Sequence, residues 1–124
     1  PHTPPVAPVA PPHTPPAPPC DASALNLNNP TLVNCNAQFP VTLVSSRPTS
    51  CSVLSSTAQI CSVTNVCRPC PSPSGGSGPN VTYNCPGSTQ GLYSIRVNYI
   101  LTGGFAGNFN RAVVVAGSGC NTPN

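Results

Sequence analysis

Apolar and polar side chains alternate between residues 92 and 102. Tyr93, Ile95, Val97, Tyr99 and Leu101 fall on one face, Ser94, Arg96, Asn98 and Thr102 on the other, and Ile100 is the exception. A period of two sustained over this length predicts a half-buried β-strand. Gly103-Gly104 ends it, and after a loop through Phe105-Ala106-Gly107-Asn108-Phe109-Asn110 the run 111–116 is expected to pair back as its hairpin partner. Earlier candidates are shorter: 31–35, 40–45, 51–54, 59–63 and 81–84, separated by Pro, Ser or Asn. No segment of useful length carries a helical period. Short strands at this spacing predict an all-β domain, an antiparallel β-sandwich, over residues 20–124.

Residues 1–19 belong to a different class of chain. They contain no cysteine and no charge, are mostly Pro, Ala, Val and Thr, and repeat themselves: Pro1-His2-Thr3-Pro4-Pro5 returns as Pro12-His13-Thr14-Pro15-Pro16. Proline fixes φ and biases the preceding residue toward extended values, so this arm is expected to be a polyproline II rod, reaching roughly 60 Å at about 3.1 Å per residue. It cannot form a core. His2 and His13, the only histidines, lie within it and have no pocket for acid–base or metal chemistry, so a solvent or interface role is expected. PxxP spacings such as Pro5–Pro8 lack the flanking basic residue that SH3-type docking uses.

Eight cysteines, an even number, lie between residues 20 and 120: Cys20, Cys35, Cys51, Cys61, Cys67, Cys70, Cys85 and Cys120. Four intrachain disulfides are expected, at least one within the dense stretch 51–70, and hence an oxidising, secreted setting. Sequence alone leaves the pairing open among 105 possibilities. Cys67-Arg68-Pro69-Cys70 has the C-x-x-C spacing of redox motifs, but no βαβ context accompanies it. No second C-x-x-C completes a zinc site, so a structural role is expected for both cysteines. No metal or other cofactor is predicted. Nor does any apolar segment resemble a signal peptide, which is expected to have been removed or to lie outside the sequence; no apolar run is long enough for membrane insertion.

Charge narrows the function classes. Of 124 residues, 4% are charged, with four Lys+Arg and one Asp+Glu, against roughly 25% in a usual soluble domain. The acidic residue is Asp21, and the arginines, Arg47, Arg68, Arg96 and Arg111, are scattered. Paired-carboxylate catalysis lacks its parts, the serines lack a histidine activator within the domain, and the basic residues form no nucleic-acid patch. The expectation is a protein that is not an enzyme. Asn80-Val81-Thr82 is a standard N-glycosylation sequon following a linker-like Ser/Pro/Gly stretch, 72–79, whereas Asn29-Pro30-Thr31 is blocked by proline.

Two resemblances add to this reading. Gly91-Leu92-Tyr93-Ser94-Ile95-Arg96-Val97-Asn98-Tyr99-Ile100, then Ala106-Gly107-Asn108, then Arg111-Ala112-Val113-Val114-Val115 resembles the last two strands of extracellular immunoglobulin-like repeats of the HYR and bacterial-Ig type. Gly91-x-Tyr93 is similar to a tyrosine corner, and Ala106-Gly107-Asn108 stands at the loop. The resemblance implies an Ig-like sandwich, stapled here by disulfides. A Pro/Ala/Val/Thr arm fused to a Cys-, Ser- and Asn-rich domain also resembles the hydroxyproline-rich glycoproteins of green algae, of pherophorin and mastigoneme type. That likeness implies hydroxylation and O-glycosylation at Pro4, Pro5, Pro8, Pro11, Pro12, Pro15, Pro16, Pro18 and Pro19. A mean hydropathy of −0.00 with so little charge agrees with it, because hydration must then come from glycans or the surface must be buried in an assembly.

Together these readings predict a secreted structural glycoprotein subunit of an extracellular filament, cell wall or surface appendage. Its expected partners are covalent glycans and other copies of itself, joined head to tail through the arm. The alternative is a secreted carbohydrate- or partner-binding module on a Pro-rich stalk, with Tyr83, Tyr99, Phe105 and Phe109 as candidate contact aromatics and the two loop phenylalanines preferred. A disulfide-rich protease inhibitor or small secreted hydrolase is the least supported reading.

Overall fold

The computed structural model describes residues 3–5, 19–73 and 75–120. Within the arm, Thr3, Pro4, Pro5 and Pro19 are exposed coil; His2, His13, Pro8, Pro11, Pro12, Pro15, Pro16 and Pro18 lie outside the described residues. The chain enters the domain through a 3₁₀ turn, Ala22–Ala24. The Asp21 carboxylate caps it, accepting from the Ser23 backbone N–H at 2.9 Å and the Ser23 hydroxyl at 2.6 Å, an N-cap arrangement that satisfies a donor the turn cannot.

Eight strands follow among the described residues: β1 (Leu25–Asn28), β2 (Leu32–Val33), β3 (Gln38–Ser45), β4 (Val53–Ser62), β5 (Cys67–Cys70), β6 (Asn80–Pro86), β7 (Gly91–Leu101) and β8 (Ala106–Val115). They form two sheets, a three-stranded one in the order β1-β3-β6 and a five-stranded one in the order β2-β8-β7-β4-β5. All pairings are antiparallel except β2 with β8, which is parallel. The purely antiparallel expectation is corrected at that pair: the first stretch of chain leaves β1 in one sheet and lies along the last strand of the other.

Alternation drives the packing. Along β3, Phe39, Val41, Leu43 and Ser45 are buried; along β6, Val81, Tyr83 and Cys85; along β7, Ile95, Val97, Tyr99 and Leu101. With Ile60, Val113 and Val115 from the larger sheet, these side chains make one cluster shared by both sheets. The four disulfides are Cys20–Cys51, Cys35–Cys120, Cys61–Cys67 and Cys70–Cys85. Cys61–Cys67 joins directly opposed residues of β4 and β5, whereas Cys70–Cys85 ties β5 of one sheet to β6 of the other. Core and disulfides all lie within residues 20–120, so the domain is held together without the arm.

Strand boundaries depart from the sequence expectation at three places. Candidates 51–54 and 59–63 are one continuous strand, β4, which passes through Ser55-Ser56-Thr57. β1 and β5 were not expected; both are short edge strands, a position that tolerates asparagine in β1 and Pro69 in β5. The expected loop 105–110 is mostly strand. The chain turns tightly over Thr102–Phe105 instead, with Gly103 and Gly104 both at φ +92° and Leu101 N–H donating to the Phe105 carbonyl at 2.8 Å. Left-handed φ values at two successive positions suit glycine.

Candidate functional site

The register assigns outward-facing residues of the five-stranded sheet to successive rows across the strands. At one end, Leu32, Val114 and Leu92 stand side by side on β2, β8 and β7, with exposures of 64%, 41% and 53%. The middle rows are polar: Asn110, Arg96 and Gln59, then Asn108, Asn98 and Thr57. The opposite end closes with Ala106, Ile100 and Ser55. This sheet face is an amide- and hydroxyl-rich band between two apolar margins.

Depressions run along the face among the described residues. One of about 450 Å³ lies over Thr57, Asn98, Ile100, Ala106 and Asn108. A polar one spans Gln59, Arg96 and Asn110. A third, of about 200 Å³, lies between Leu92, Ala112 and the β4–β5 turn at Val63 and Asn65, with Cys61 also in its lining. Arg96 is held at that last site by its own bonds: Nε donates to the Ser94 hydroxyl at 3.3 Å and Nη2 to Asn65 Oδ1 at 2.9 Å. Asn65 can serve because it sits in a left-handed turn conformation, φ 63°, which asparagine tolerates better than most residues.

The candidate aromatics separate. Tyr83 and Tyr99 are core residues, 1% and 3% exposed, and burial pushes both phenols above the ordinary tyrosine range. Tyr83 lies against the Ser56 hydroxyl, which in turn donates to the Gly76 carbonyl at 2.6 Å; neither ring can serve as a surface contact. Phe109 is in strand β8 rather than a loop, with its ring 5.6 Å from that of Tyr99 and the Arg111 guanidinium 5.3 Å above it. Phe105, at the end of the tight turn, is 40% exposed and remains available as a contact.

Cys67 and Cys70 are not bonded to each other; each pairs elsewhere, and no cysteine is free. With every sulfur in a disulfide, the C-x-x-C spacing carries no dithiol couple and no thiolate ligand. Among the described residues no cluster of three His, Cys, Asp or Glu side chains could hold a metal ion, and no helix is long and apolar enough to cross a membrane. Asn80 is exposed at the first position of β6. The preceding stretch is not a free linker: Gly78 bridges Val53 in both directions at 2.8 and 3.0 Å, and the Asn84 N–H donates to the Pro71 carbonyl at 2.8 Å. The apolar row at Leu32, Val114 and Leu92 went unseen in the sequence, because it exists only once β2 crosses to the second sheet. Compared with known proteins, the chain matches no family model, no curated protein and no solved structure.

Proposed function

We propose that this chain is a secreted, non-catalytic structural glycoprotein subunit of an extracellular filament, wall or surface appendage, built from an Ig-like β-sandwich and a polyproline II arm that joins neighbouring copies. The observation that carries the reading is the surface. Eight large apolar side chains stand exposed among the described residues on a chain with 4% charge, a combination that favours covering by other subunits or by glycans.

Strand order supports the Ig-like part. The pairing β1-β3-β6 corresponds to strands A, B and E of an immunoglobulin sheet, β8-β7-β4 to G, F and C, and β5 takes the place next to C. The Tyr93 hydroxyl, near the start of β7, donates to the Thr89 carbonyl four residues upstream at 2.9 Å, the bond that defines a tyrosine corner. The disulfides follow a scheme of their own, since Cys70–Cys85 joins the sheets through β5 and β6, not through the B and F positions. Four disulfides agree with an oxidising, secreted setting.

Glycans on Asn80 and on hydroxylated arm prolines would supply hydration that side-chain charge does not. Intact-mass spectrometry of native material tests this: the reading expects increments of 16 Da and of pentose or hexose above 12.5 kDa, and an unmodified mass contradicts it. A carbohydrate-binding module is the second reading, favoured by the amide- and hydroxyl-lined depression at Asn98, Asn108 and Thr57 beside exposed Phe105. Dispersed monomers with glycan affinity in place of filaments would select it.

A further inference from the structure

The five-stranded sheet is polar in the directional sense. Val53 of β4 pairs with Leu101 of β7, and nine residues further along β4 Ser62 pairs with Tyr93. Cys51, bonded to Cys20, therefore sits at the Leu101 end, and there the arm leaves the domain. Its root is fixed twice, by the Cys20–Cys51 disulfide and by Arg47, whose Nη2 donates to the Pro19 carbonyl at 2.7 Å. The exposed row Leu32, Val114 and Leu92 is at the other end, separated from the root by the length of β7, which at about 3.4 Å per residue is roughly 35 Å.

We infer that the cleft between Leu92, at the inner end of this row, and the β4–β5 turn is the receptor for the proline-rich arm of a second copy of the chain. The inference rests on the structural-subunit reading and names the surface that reading leaves unspecified.

The chemistry of cleft and arm is complementary. A polyproline II segment presents apolar ring faces and carbonyl acceptors but few N–H donors, so a receptor needs apolar slots flanked by donors. The cleft provides slots at Leu92, Ala112 and Val63, the last 75% exposed. Its donors are the Arg96 guanidinium and the Asn110 amide, two rows further along the face. Arg96 is already oriented by Ser94 and Asn65, so little side-chain freedom is lost on binding. Charge plays little part on either side: the arm carries none, and Arg96 is the one charged residue among those lining the cleft.

Geometry favours a second molecule. A polyproline II arm of this length has a reach of roughly 60 Å, enough to span a neighbour placed end to end and arrive at that neighbour's cleft. A root at one end and a receptor at the other is a heterologous contact, which propagates as an open filament when its rotation does not close a ring.

Sedimentation velocity of the secreted full chain tests the assignment. Leu92→Asp and Val63→Asp change exposed side chains of the cleft, so both variants should keep four disulfides by non-reducing mass. Each is expected to weaken self-association by at least about tenfold, the factor that loss of one partly buried apolar side-chain contact implies. Ile100→Asp, at the other margin of the sheet, should stay within about twofold of the parent. Mixing the Leu92→Asp chain with one lacking residues 1–19 should restore a one-to-one complex, because one molecule then supplies the arm and the other the cleft. If both cleft variants associate like the parent while removal of the arm abolishes association, the arm docks elsewhere and this inference fails with the subunit reading intact. If the parent stays monomeric, or chains without the arm associate as the parent does, the subunit reading fails and the cleft assignment with it.

Discussion

Gly107 shows how one residue misleads a sequence reading and then organises the sheet. Ala106-Gly107-Asn108 has loop composition, yet it begins β8, with Gly107 opposite Tyr99. A Cβ at Gly107 would stand 2.5 Å from the Tyr99 hydroxyl oxygen and 3.0 Å from its ring edge. The tyrosine ring thus occupies the side-chain space of the glycine across the strand pair, a known way to keep glycine in a strand. Tyr99 is buried and packed on Phe109, so it cannot easily swing aside. Gly107→Ala is expected to destabilise by about 1–3 kcal/mol, the usual cost of overpacking, measured as a lower denaturant midpoint at unchanged slope. A further consequence at this scale concerns protons. Asp21 is held below the ordinary carboxyl value of 3.8, chiefly by the Ser23 hydroxyl and then the Ser23 N–H. Its small contribution is therefore present above that value and is lost as pH falls through the folded-state value. Tyr83 and Tyr99 are raised above 10.0 by burial, so the unfolded chain ionises first and stability falls as pH rises past about 10. With no Lys or Glu in the sequence and both histidines in the arm, the melting temperature should vary by less than about 3 °C between pH 5 and 9. A calorimetric pH series checks it; a steep change near pH 6 contradicts it.

At the scale of elements, what could be read from sequence was set by how far a strand's residues obey the rule of two. β7 was legible almost to the residue because its inward positions are Tyr, Ile, Val, Tyr and Leu. β3 and β6 were located with slightly short ends. β4 was split in two, since Ser55-Ser56-Thr57 looks like a break; in the fold Thr57 faces outward in the polar band, and Ser56 is accommodated by bonding Gly76 and contacting Tyr83. β1, reading Leu-Asn-Leu-Asn, has a strand period but residues poor in strand propensity. β5 is a Cys-Arg-Pro-Cys edge fixed at both ends by disulfides. The pairing could not be read from sequence because it depends on which strands share a sheet. Its energetic weight is uneven. In the chain-entropy account, Cys35–Cys120, with a sequence separation of 85, contributes about 4.6 kcal/mol, against about 2.2 kcal/mol for Cys61–Cys67, with a separation of 6. Replacing both cysteines of the first pair by alanine should lower stability by roughly 2 kcal/mol more than replacing both of the second, as read by equilibrium unfolding; the reverse order would show that strain or residual structure dominates.

At the scale of the molecule, the domain and the arm divide the labour implied by their compositions. The domain buries one core between two sheets and closes it with disulfides, so it holds its shape without charge networks. The arm cannot form a core, but its prolines restrict the backbone freedom that binding would otherwise remove, which suits the connecting role proposed for it. The directionality of the sheet, with the arm root at one end and the apolar row at the other, was not legible in the sequence, because the row exists only once β2 crosses between sheets. The most direct test of the proposed assembly is electron microscopy of the secreted chain with and without residues 1–19. The full chain is expected to form regular filaments, and the shortened chain to remain a dispersed monomer with all four disulfides intact. Filaments of unchanged helical spacing from the shortened chain would contradict the account.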